Sequence, residues 1–62
     1  MWVIAKNADK KLFCSKSMDD YVLLKDAMVF EMKEIAEKSI DDSTHEIICE
    51  VEYVPAMIKL KG

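Results

Sequence analysis

The sequence predicts an α+β fold: a small single domain, residues 1–62, with one long helix packed on a three- to four-stranded antiparallel sheet. The expected order is ββαβ, with a possible last strand. Three observations predict it. Two short β-branched and aromatic stretches flank a turn-forming tetrapeptide near the start. Residues 18–38 then run without Gly or Pro, and residues 44–54 alternate apolar and polar.

WVIAK at residues 2–6 reads as a first strand and KLFCS at residues 11–15 as its return. Between them, NADK supplies Asn7 and Asp9, side chains that bond to their own backbone in turns. Ser17 stands before Met18-Asp19-Asp20, which places an N-cap and two carboxylates where a helix dipole favours them. From Met18 to Lys38 the pattern predicts a helix of roughly 31 Å, ending in the strong helix formers EMKEIAEK and stopped by Asp41-Asp42-Ser43.

THEIICEVEYV, residues 44–54, then sends His45, Ile47, Cys49, Val51 and Tyr53 one way, and Glu46, Ile48, Glu50, Glu52 and Val54 the other. That is a half-buried strand with its first set on the core. Pro55 interrupts it, and AMIKLK at residues 56–61 alternates again as a continuation or a short edge strand. The simplest sheet orders these strands 2-1-3, with the long third strand beside the first.

The helical segment opens on YVLLKDAMVFEM, residues 21–32, whose apolar coat is nearly continuous. On a wheel of about 100° per residue, most of it forms one core-facing arc. Leu23, Ala27 and Phe30 fall opposite, rimmed by Asp26, Glu34 and Glu37. An apolar ridge bordered by acids has the make-up of a protein-interaction surface. A helix of that length also overhangs hairpin arms of roughly 17 Å, so a homodimer is expected to cover the surplus and support a marginal core.

Charge adds a second candidate surface. The net charge is −3, and all but one of the twelve acids lie within residues 17–54. Glu46, Glu50 and Glu52 share one strand face, which could meet a basic groove on another protein. All nine basic residues are Lys. Without Arg there is no bidentate reader of phosphates and base edges, which argues against specific nucleic-acid recognition.

Cys14 and Cys49 make no metal-binding pair and read as reduced, buried side chains. His45 and Cys49 stand four residues apart on a strand, roughly 13 Å, too far to share one ion. No nucleophile has a base in reach, so no cofactor, no metal and no catalysis are expected. The opening residues lack the pattern of a signal peptide, and no apolar run approaches about 18 residues. The expected compartment is the cytoplasm, away from membranes.

These features predict a non-catalytic module that occupies a partner protein's surface. By analogy of size, charge and layout alone, it suits an inhibitor such as a phage-encoded anti-defence protein of the anti-CRISPR type. The alternative is an antitoxin or other small regulator that binds nucleic acid through the basic hairpin. It would use Lys6, Lys10, Lys11 and Lys16, with Trp2 or Phe13 stacking on bases.

Overall fold

The computed structural model describes residues 1–40 and 43–61. Five strands form one antiparallel sheet: β1 (Trp2–Ala5), β2 (Phe13–Cys14), β3 (Tyr21–Val22), β4 (Ile47–Tyr53) and β5 (Ile58–Leu60). Their spatial order is β3-β2-β1-β4-β5. A 3-10 turn, Leu24–Asp26, follows β3, and α1, the one α-helix among the described residues, spans Lys33–Ser39.

The first hairpin and the long strand beside β1 lie where the sequence places them. Ala5 pairs with Phe13 across the hairpin, and Trp2 to Ala5 pair with Glu50 to Ile47 on β4. The connecting turn is held by its own side chains. Asn7 Oδ1 accepts the Asp9 N–H at 3.0 Å, and Asp9 Oδ1 accepts the Lys11 N–H at 2.9 Å. Lys10 closes the turn with a positive φ of 56°.

The long helix does not form, and the fold class read from the sequence is corrected accordingly. Residues 18–38 instead contribute a turn, β3, the 3-10 turn, an extended stretch and all but the last residue of the short α1. Ser17 caps nothing; its hydroxyl lies 3.0 Å from that of Ser15 and donates to the Asp19 carboxylate. Asp41 and Asp42, expected to stop the helix, lie outside the described residues.

The centre of the apolar coat, residues 27–30, has a different cause. Ala27 and Val29 enter one core cluster, while Met28 and Phe30 enter another. This is the period-two pattern of a strand buried on both faces, which leaves no polar side to betray its direction. The stretch is bonded like a strand too. Met28 N–H donates to the Cys14 carbonyl at 3.0 Å, and Ala27 forms an isolated bridge with Ser15.

The sheet curls into a half-barrel. The 3-10 turn that leaves edge strand β3 lies against β5 at the opposite edge. One face gathers Val3, Ala5, Phe13, Ala27, Cys49 and Val51, with Leu24 of the 3-10 turn packed on them. The other gathers Ile4, Cys14 and Phe30 beneath Ala36, the one buried residue of α1. The overhang that motivated a homodimer disappears with the long helix.

Candidate interaction surface

The predicted ridge is dispersed by this fold. Leu23 is 57% exposed, but Ala27 and Phe30 are buried at 3% and 7%. Leu23 precedes the 3-10 turn, in solvent, whereas Ala27 and Phe30 belong to the buried extended stretch. Asp26 is exposed at the end of the 3-10 turn, and Glu34 and Glu37 are exposed on α1. The six residues therefore share no common face of one helix.

The three glutamates of the predicted acidic face each have a neighbour within the chain. Glu50 pairs with Lys61 at 3.6 Å, and Glu52 stands directly opposite Lys59 on β5. Glu46, just before β4, accepts the Tyr21 hydroxyl at 2.7 Å and the Cys14 thiol at 3.3 Å. Lys6 lies over the Tyr21 ring, 5.3 Å from its centroid.

This cluster is built to hold β2, β3 and the approach to β4 together. Burial, then the Glu46 hydrogen bond and charge, push the Cys14 thiol up to about 12. The thiolate is the reactive form, so Cys14 is a poor nucleophile at neutral pH. Burial also raises Cys49, against a smaller opposing pull from Lys10. His45 is exposed, and no cluster of three metal-ligating side chains occurs among the described residues.

The basic hairpin loses one of its two stacking candidates. Phe13 is buried at 2%, inside the core, where no base can reach it. Trp2 is half-buried, with Lys33 at 5.2 Å from its ring centroid. Lys6, Lys10, Lys11 and Lys16 are all exposed.

Exposed apolar side chains also gather by sequence on the hairpin that joins β4 to β5. Tyr53 ends β4, Val54 follows it, and Met57 at 65% exposure closes the turn before β5. Val54 N–H donates to the Met57 carbonyl at 2.8 Å, which places these residues at one end of the hairpin. Leu60 of β5, on the face of Tyr53, is exposed as well.

Alternation assigned Tyr53 to the core, because its parity matches Ile47, Cys49 and Val51. It is exposed because the strand runs past the packed residues. The legible sign was YVPAM, an apolar run carried through a proline, where a turn leaves side chains without cover. No helix of the described residues is long and apolar enough to cross a membrane. Compared with protein-family models, with curated proteins and with solved structures, the chain matches none of them.

Proposed function

We propose that this chain is a non-catalytic protein-binding module, and that the β4–β5 hairpin is its contact surface. One observation carries the reading: Tyr53, Val54 and Met57 stand exposed together at a tip held by a turn hydrogen bond. Aromatic and Met side chains are enriched at the centres of protein interfaces, and a pre-ordered turn loses little entropy on docking. Lys59 and Lys61 flank the tip on one side and Glu50 and Glu52 neighbour them, giving the apolar centre a charged rim.

Acting as an inhibitor, the module would work by occupying a surface its partner needs, inside the cytoplasm. The test compares tagged wild type with Met57→Glu as baits in extracts of the cells that make the chain, alongside Ile35→Glu on exposed α1. A protein captured by wild type and by Ile35→Glu, but lost with Met57→Glu, is the expected result. Equal capture by all three baits would refute the hairpin as the contact surface.

A further inference from the structure

β5 is the last strand of the sheet, so one of its edges faces no other strand. Which of its backbone groups point outward follows from the hydrogen bonds. Lys61 N–H donates to the Glu50 carbonyl at 2.9 Å, and Val54 N–H donates to the Met57 carbonyl at 2.8 Å. In an antiparallel ladder, hydrogen-bonded and non-bonded pairs alternate. Lys59, opposite Glu52, is therefore a bonded position. Ile58 and Leu60, opposite Tyr53 and Val51, direct their N–H and C=O groups away from β4.

Among the described residues no backbone group bonds to these two positions. The 3-10 turn does not occupy them: its Leu24 and Ile58 both pack on the same core cluster, so it meets β5 over the inner face.

The side chains of β5 set the chemistry of anything added there. Ile58 and Leu60 lie on the face of Tyr53 and Val51, and Lys59 and Lys61 lie on the face of Glu52 and Glu50. Across β4 and β5 the outer face thus runs acid then base. A second copy pairing β5 with β5 so that Ile58 meets Leu60 would set Lys59 against Lys59, a destabilising match and a common guard of sheet edges. A strand with carboxylates at alternate positions continues the charge pattern instead, and its intervening apolar residues extend the row of Ile58 and Leu60.

We infer that the free edge of β5 takes up an extended segment of a partner protein in which carboxylates alternate with apolar side chains, adding a sixth strand beside Ile58 and Leu60. This deepens the protein-binding reading and rests on it. The mode is strand addition, with main-chain bonds supplying affinity and the alternating side chains supplying selection.

The experiment follows amide hydrogen exchange by NMR with two synthetic capped peptides, one alternating Glu and Val, the other alternating Lys and Val. The acidic peptide should slow exchange at Ile58 and Leu60 several-fold, and the basic peptide should not. In the double variant Lys59→Gln with Lys61→Gln, the difference between the peptides should vanish. Leu60→Pro removes an outward N–H without touching a bond to β4, and should abolish protection at Ile58.

Unchanged exchange at both amides with the acidic peptide would overturn the inference. So would equal slowing by both peptides, or full protection of Ile58 in Leu60→Pro. A natural partner lost with Met57→Glu, yet leaving the Ile58 and Leu60 amides exchanging freely, would remove the edge site and leave the hairpin reading standing.

Discussion

Trp2 and Phe30 exchange both of their backbone hydrogen bonds: Trp2 N–H donates to the Phe30 carbonyl at 2.9 Å, and Phe30 N–H to the Trp2 carbonyl at 2.8 Å. This closed pair ties the middle of the chain to its central strand. Phe30 then seats its ring with Ile4, Cys14 and Ala36. Removing a buried Phe ring costs about 3–5 kcal/mol, and a domain of this size has roughly that much stability in all. Phe30→Ala should therefore be largely unfolded at room temperature. Circular dichroism with urea titration checks it; a cooperative transition close to that of wild type would contradict the assignment of Phe30 to the core.

Tyr21 and Glu46 supply a second test. Tyr21→Phe deletes the hydroxyl that donates to Glu46 while keeping the ring under Lys6. Hydrogen bonds to charged groups contribute about 1.5–3 kcal/mol. Part-exposure of Glu46 places the expected loss at the lower end, about 1.5 kcal/mol, read as a fall in urea midpoint with unchanged slope.

The Cys14 thiol makes stability depend on alkaline pH. Its ordinary value of 9.0 is raised to about 12 in the fold. The unfolded chain sheds this proton first, so the contribution is whole below pH 9 and is lost as pH rises from there toward 12. Lys and Tyr groups titrate in the same range, so the comparison needs a variant. Cys14→Ala should lose less stability than wild type between about pH 8 and about pH 10.5, measured as urea midpoints. A steeper alkaline loss in the variant would count against the buried neutral thiol.

Met18 sits in the left-handed region with a φ of 64°, and its side chain is exposed. For a side chain with a Cβ, that conformation costs about 1–2 kcal/mol, against about 0.5–1 kcal/mol of extra freedom that Gly brings to the unfolded chain. Met18→Gly should raise stability by about 0.5 kcal/mol. Thermal unfolding with a lower midpoint for the variant would contradict the turn geometry.

The strands were legible wherever one face is polar. Alternation from Ile47 to Tyr53, and the Asn7–Asp9 turn before Phe13, place their elements close to where they occur. The stretch from Ala27 to Phe30 was not, because a chain buried on both sides has no polar positions to mark a period. A helix and a two-faced strand then share one composition. Good helix formers were read correctly at Lys33 to Lys38 and over-extended backwards through residues whose burial is decided by distant partners, Trp2 for Phe30 and Ser15 for Ala27. The interaction surface inherited that error. Wheel positions have meaning only on a helix, so Leu23 and Phe30, paired by arithmetic, are parted by the fold into solvent and core.

β1 touches β2, β4 and the Phe30 stretch, so the strand at the centre of the sheet precedes its main partner by more than forty residues. Order in space thus runs against order in synthesis. The central strand emerges early and stays incomplete until β4 arrives to close its second edge. Pairings between distant residues must overcome loop-closure entropy before they return any contacts. Acquisition of structure is accordingly a late and collective event, slower than in a helical chain of equal length. Until it happens, Trp2, Val3 and Ile4 are an open apolar strand, which a chaperone or another nascent copy can meet first.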